Sequence, residues 1–74
     1  MTPQSEACFA LREIYTYANH ERSVCERQAD ECRESKDYRA ADRASSQAMA
    51  FQKIAARCKL NARKMYSTDL ENMQ

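Results

Sequence analysis

The chain has 74 residues, with 12 basic and 11 acidic side chains, no glycine and one proline. A chain of this length forms one domain at most, which makes a multidomain enzyme with a deep cleft implausible. Without glycine the chain has neither a phosphate-cradling loop nor a dinucleotide-binding fingerprint. No apolar run approaches the roughly 20 residues that a membrane-spanning helix needs, so we expect no such segment and no signal peptide.

Helix-favouring residues dominate the composition, above all 12 alanines, and β-branched residues are few. Thr2 followed by Pro3 is typical of a helix start, with threonine as the cap and proline in the first turn. Nothing breaks a helix from there to about residue 33. The sequence therefore predicts helix 1 over about 3–33 and a turn over about 34–37, where Ser35 or Asp37 can cap a second helix.

The predicted second helix covers about 38–66 and precedes a polar tail over 67–74. Residues 68–71, Thr-Asp-Leu-Glu, can start one more helical turn in that tail. We treat residues 1–74 as a single helical-hairpin domain.

Small and apolar residues recur with a three–four spacing in both predicted helices. In helix 2 this seam consists of Ala41, Ala44, Ala48, Phe51, Ala55, Cys58, Ala62 and Met65. In helix 1 it consists of Cys8, Leu11, Tyr15, Ala18, Arg22, Cys25, Ala29 and Cys32. Such spacing is typical of coiled-coil-like packing. Two seams joined by a short turn predict an all-α fold, an antiparallel two-helix hairpin, and one continuous helix is the alternative.

A second apolar stripe flanks each seam, which one hairpin alone does not bury. It consists of Ala10, Ile14, Tyr17 and Val24 on helix 1 and of Ala40, Met49 and Ile54 on helix 2. Alanine-rich seams also remove little apolar area, whereas ordering the backbone costs about 1–2 kcal/mol per residue. We therefore expect self-association into a four-helix bundle or a larger homo-oligomer.

The four cysteines are Cys8, Cys25, Cys32 and Cys58. Cys25 and Cys32 are seven residues apart, roughly 10 Å along a helix, which exceeds the bridging limit of about 7 Å between Cα atoms. We expect buried thiols in a reducing cytoplasm, with intermolecular bridges and a metal site as alternatives. The spacing lacks the close cysteine pairs of zinc sites, and His20 lies on a different helix face from Cys25. The sequence thus predicts no enzyme, no catalytic residue, no metal and no cofactor.

The charges are segregated along the chain. Residues 1–37 carry a net charge of −3, residues 38–66 carry +6 and residues 67–74 carry −2. Opposite the seam of helix 2, five basic residues share one face over about 37 Å. This basic face consists of Arg39, Arg43, Lys53, Arg57 and Lys64. It can contact phosphates, an acidic protein surface or the acidic helix 1 of a neighbouring subunit, and a solvated face with local ion pairs is the alternative.

Two residues of helix 1 are further candidates for binding. Arg22 interrupts the seam, so its guanidinium extends past the core, pairs with a glutamate of another chain or holds an anion in an inter-subunit pocket. Tyr17, together with Phe9, Asn19 and His20, predicts an exposed and partly aromatic surface. Arginine and aromatic side chains are favoured at interface hot spots.

Residues 35–58 contain the patterns Asp37-Tyr38-x-x-Ala41 and Ala48-x-Ala50-Phe51. In these patterns the segment, about a third of the chain, resembles the second helix of small helical-hairpin proteins of phage and prophage genomes, with Lys36 where glycine is usual. The resemblance implies a compact phage accessory protein. Some such proteins block host defences by binding a protein or sequestering a nucleotide signal.

These observations predict a non-enzymatic oligomeric interaction protein that binds and inhibits or adapts a macromolecular partner with an acidic surface. The alternative is a nucleic-acid- or nucleotide-binding bundle, in which the basic face, or Arg22 and Tyr17 at a subunit junction, binds phosphates and stacks bases. A third possibility is an assembly module in which helix 2 pairs with helix 1 of its neighbour.

Overall fold

A computed structural model describes residues 3–72, and side chains from residue 5 onward. Helix α1 spans Pro3–Glu34 and helix α2 spans Tyr38–Tyr66, followed by a short 3-10 helix at Leu70–Asn72. The two long helices pack along each other, and the described residues contain no strand. The predicted all-helical fold with two helices is confirmed, and a single continuous helix is wrong. Thr2, the predicted cap of helix 1, lies outside the described residues.

The chain reverses direction within three residues. The amide of Asp37 donates to the carbonyl of Cys32 (2.8 Å), and the amide of Lys36 donates to the carbonyl of Arg33 (3.0 Å). Lys36 has a φ of 63°, a left-handed conformation that glycine normally occupies at this point of a helix end. The carboxylate of Asp37 accepts from the amide of Ala40 (3.2 Å), so Asp37, and not Ser35, caps α2.

Small side chains fill the space between the helices. The buried apolar residues, apart from Leu70, are Cys8, Ala18, Cys25, Ala29, Ala41, Ala44, Ala48, Ala55, Cys58 and Ala62. Every one of them belongs to the predicted seams. Met65 was expected in the seam, but 66% of its surface is exposed, so that prediction is wrong.

The tail closes the open end of the hairpin, and Met65 is not part of the core there. Helix α2 ends at Ser67, whose left-handed backbone (φ 52°) turns the chain back toward α1. Leu70 then packs on Cys58 and Ala62, beside Leu11 and the ring of Tyr15. The extra turn that the sequence left open therefore forms, and its leucine joins the core at this end of the hairpin.

Polar contacts fasten the tail to both helices. The Lys59 ammonium lies 2.7 Å from Glu71 Oε1, and the Tyr15 hydroxyl donates to the same oxygen (3.1 Å). The hydrogen bonds from Lys59 and Tyr15 hold the pKa of the Glu71 carboxyl below its ordinary value, and the hydrogen bond to Glu71 raises the pKa of Lys59. We call Tyr15, Lys59 and Glu71 the tail clasp.

The tail clasp should form only in a middle range of pH. Glu71 has a lowered pKa, so its contribution is complete above the ordinary value of 4.5 and is lost as the pH falls through the folded value. Lys59 has a raised pKa, so its contribution is complete below 10.5 and is lost as the pH rises through the folded value. We expect the NMR signals of the Leu70 methyl groups to titrate in both ranges.

The variant Glu71→Gln is the control for this titration. It removes both charge-assisted contacts, so the Leu70 methyl signals should lose the acidic transition. An acidic transition of equal size in wild type and variant would assign the titration to another carboxylate.

Candidate interaction surface

The basic face lies on the side of α2 that points away from α1. Since the seam of α2 contacts α1, residues half a turn away face solvent. The five predicted members, Arg39, Arg43, Lys53, Arg57 and Lys64, are all exposed. The structure therefore presents these five cations together on one outer surface, as their spacing predicts.

No member of the basic face is neutralised by the part of the chain that the structure describes. The ion pairs within 4.0 Å among these residues are Arg22–Glu26, Arg33–Asp30 and Lys59–Glu71. The one carboxylate of α2 belongs to Asp42, and it makes no such pair. These five side chains have no ion pair among the described residues, and a face that only contacts solvent stays the alternative.

A shallow apolar hollow lies within the basic face. It has a volume of about 540 Å³ and is lined by Lys53, Ile54, Ala56, Arg57 and Leu60. Ile54 and Leu60 each expose more than two fifths of their surface. Two cations thus border an apolar floor, an arrangement that suits an acidic surface carrying an apolar side chain.

Ile54 and Leu60 were not predicted as binding residues. Their signal in the sequence is position, because Leu60 follows Arg57 by three residues and Lys53 by seven and so shares their face. Leucine at such a position is ordinarily interpreted as scattered surface hydrophobicity. The hollow that Leu60 lines with Lys53, Ile54 and Arg57 is visible only in the folded structure.

The structure places Tyr17 away from the basic face. Its ring meets that of Phe51 edge to face, with centroids 6.3 Å apart, and 60% of its surface is exposed. It also borders a hollow of about 490 Å³ on α1 that Phe9 and Arg12 help to line. Tyr17 thus lies at the side of the hairpin, where a second molecule has access to it.

Arg22 is also separate from the basic face and lies half-buried in the seam of α1. Its Nε atom is 3.8 Å from Glu26 Oε1, is buried and has no hydrogen-bond partner in the described structure. The rest of the guanidinium reaches the surface, with 35% of the side chain exposed. A long side chain that extends out of a core in this way is typical of snorkelling.

Replacing Arg22 with leucine should stabilise the protein. A buried donor without a partner costs about 1–3 kcal/mol, whereas the exposed Arg22–Glu26 pair contributes well under about 1 kcal/mol. We expect a gain of about 1 kcal/mol and a rise in Tm of about 4–8 °C for a domain of this size.

The matched control is Arg27→Leu, because Arg27 is exposed on the same helix. Thermal unfolding followed by circular dichroism should show little change for this control. A lower Tm for Arg22→Leu than for the wild type would contradict the inference that the unpartnered Nε of Arg22 destabilises the seam.

The four thiols are free, and burial raises the pKa of Cys58. Within residues 3–72 no three histidine, cysteine or acidic side chains are grouped to hold a metal ion. Over the same range, no helix is both long and apolar enough to cross a bilayer.

Comparisons of the chain with protein-family models, with curated proteins and with solved structures found no match. The resemblance of residues 35–58 to phage hairpin proteins therefore stays a prediction.

Proposed function

We propose that this chain is a non-enzymatic interaction protein whose basic face binds an acidic macromolecular surface and thereby inhibits or adapts its partner. The observation that carries the proposal is the row of five exposed cations, none within 4.0 Å of a carboxylate in the described structure. Unpaired cations on one rigid helix attract an acidic partner over several ångströms and accelerate docking.

The apolar hollow favours a protein partner over a nucleic acid. Protein interfaces bury a few apolar side chains within a polar rim. The hollow has the same composition, since Ile54 and Leu60 line it together with Lys53 and Arg57. Nucleic-acid interfaces are more polar and more strongly positive, whereas this chain has a net charge of only +1. Nucleic-acid or nucleotide binding through the same cations is the second candidate, favoured by the length of the face.

Self-association and location are part of the proposal. The core consists almost wholly of alanine and cysteine, and seven large apolar side chains among the described residues are exposed, which supports a homo-oligomer. Four free thiols support a reducing cytoplasmic setting. If the phage resemblance holds, the partner is a host protein.

Charge reversal of the basic face tests the proposal. In the variant Arg39→Glu, Lys53→Glu, Lys64→Glu, three exposed cations become acidic without any change in the seam. We expect affinity capture from host lysate to lose a partner that wild-type protein retains after nuclease treatment. Wild-type capture should itself weaken as the ionic strength rises, because salt screens the attraction between opposite charges.

A matched variant separates the face from the overall charge. Arg12→Glu, Arg27→Glu, Lys36→Glu changes the net charge by the same amount on α1 and the turn, and it should capture the partner as wild type does. Equal capture by all three proteins would contradict the proposal. A captured species that nuclease removes would establish the nucleic-acid alternative instead.

A further inference from the structure

The two broad sides of the hairpin differ in chemistry. On one side, polar contacts join the helices and the tail: the Arg33 guanidinium donates to the Ser45 hydroxyl (2.9 Å), and Tyr15 and Lys59 both bind Glu71. We call this the polar side. Five polar side chains of this side thus bind one another within the chain.

The opposite side is apolar near the middle of the hairpin. The rings of Tyr17 and Phe51 meet there. Because the helices are antiparallel, a step of three residues back along α1 and a step of three residues forward along α2 go in the same direction. These steps lead from Tyr17 to Ile14 and from Phe51 to Ile54, so the four side chains form adjacent rows on one surface.

We call Ile14, Tyr17, Phe51 and Ile54 the apolar side. Ile14 is 48% exposed and Ile54 is 44% exposed, although each could bury far more apolar area than any alanine of the seam. No side chain of more than moderate size is fully buried in the described structure. The largest available hydrophobic stabilisation therefore lies outside the isolated hairpin.

We propose that a second copy of the chain covers the apolar side, giving a two-fold symmetric four-helix bundle in which α1 packs beside the partner's α2. The proposal depends on the self-association included in the proposed function and specifies its interface. The molecule is 51 Å long and 16–19 Å across, so the whole side on which these four residues lie is large enough for an interface that buries about 800 Å² per partner.

Charge selects between the two face-to-face arrangements. With the two-fold axis perpendicular to the helices, α1 meets the partner's α1 and α2 meets the partner's α2. With the axis parallel to the helices, α1 meets the partner's α2. Residues 1–37 carry −3 and residues 38–66 carry +6, so the parallel axis pairs opposite charges and the perpendicular axis pairs like charges.

A two-fold axis has no translation along it, so this arrangement also sets the register. The partner's α2 must lie at the same height as the chain's own α2. The contacts Tyr17–Phe51 and Cys25–Gln47 show which heights correspond. Extending this register along the helix places Glu13 near the height of Arg57.

The same extension places Glu31 near the height of Arg43. Glu13 and Glu31 are exposed, and neither makes an ion pair within the described residues. Arg43 borders a hollow with Cys32 and Gln47 on this side. The proposed dimer thus pairs Glu13 with the partner's Arg57 and Glu31 with the partner's Arg43. In the dimer Ile54, Arg43 and Arg57 serve self-association, and Arg39, Lys53, Leu60 and Lys64 stay on the outside for the acidic macromolecule of the proposed function.

Sedimentation equilibrium of the full chain tests the interface. We expect wild-type protein to have twice its monomer mass of 8.6 kDa and the double variant Ile14→Glu, Ile54→Glu to be monomeric with unchanged helical circular dichroism. The control Tyr38→Glu, Met49→Glu places the same charges at exposed positions off the apolar side and should stay dimeric. A monomeric wild type, or dissociation by the control alone, would overturn the proposal.

Ionic strength tests the orientation. Raising salt from about 50 mM to about 500 mM screens the interchain ion pairs and should weaken the dimer about tenfold. The perpendicular arrangement opposes like charges, so salt would strengthen it, and that result would overturn the pairing of α1 with the partner's α2.

Complementary charge variants test the pairs without depending on folding alone. The variants Glu13→Lys, Glu31→Lys and Arg43→Glu, Arg57→Glu should each be monomeric, and their equimolar mixture should be dimeric. Failure of the mixture to associate, with both variants helical, would overturn the proposed pairs. The single variant Ile14→Glu should also weaken the dimer, and partner capture by it reports on the proposed function separately, since it leaves α2, the basic face and the hollow unchanged.

Discussion

Replacing Ala62 with leucine should destabilise the hairpin by about 1–3 kcal/mol. Ala62 has no exposed surface, and it packs where α1, α2 and Leu70 converge. Three extra carbon atoms at this point either separate the helices or expel the tail. An alanine seam allows a close approach of backbones, and it has no room to repack around a larger side chain.

The control for this prediction is Ala56→Leu on the exposed face of α2. Alanine and leucine have similar helix propensities, so the control isolates packing from helix formation. Chemical denaturation should give a lower midpoint for Ala62→Leu and an unchanged midpoint for Ala56→Leu. Equal midpoints for the two variants would show that the seam is loosely packed.

Replacing Leu70 with alanine should cost about 2 kcal/mol, at the lower end of values for buried leucines. Leu70 is 3% exposed and is the one leucine in the buried core of the described residues. Leu70 lies in the short tail next to Glu71, so removing the leucine side chain should also release the tail clasp of Tyr15, Lys59 and Glu71. Amide exchange at residues 70–72 should therefore accelerate together with the loss of stability.

Leu60→Ala provides the comparison, because Leu60 is 43% exposed and lies on the basic face. It should change stability by less than about 1 kcal/mol. If the two leucine variants lost the same stability, the tail would not contribute to the core. Together, the variants of Ala62 and Leu70 test the packing of the seam and the packing of the tail against it.

Much of the fold follows from local chemistry. Pro3 and Asp37 mark helix starts, and the alternating spacing of alanine and cysteine determines which side of each helix faces the other. The position of Leu70 did not follow, because one leucine in a polar segment has no periodicity to reveal its contacts. The left-handed backbone of Lys36 was also hidden, since lysine carries no preference for that conformation.

The candidate site divides in a similar way. Exposure of the basic cations follows from their position opposite the seam, and the absence of local ion pairs follows from Asp42 being the single acid of α2. The apolar hollow and the unequal sides of the hairpin did not follow. They depend on the register between the helices, which the contact of Tyr17 with Phe51 establishes in the folded structure.

If the outer face of α2 binds the partner, its lysines lose reactivity toward an acylating reagent when the complex forms. Acetylation followed by mass spectrometry should find Lys53 and Lys64 reactive in the free protein, and Lys59 slower because Glu71 binds it. In the captured complex, Lys53 and Lys64 should become protected while Lys36, in the turn, stays as reactive as before. Unchanged reactivity of Lys53 and Lys64 in the complex would show that the partner does not bind the outer face of α2.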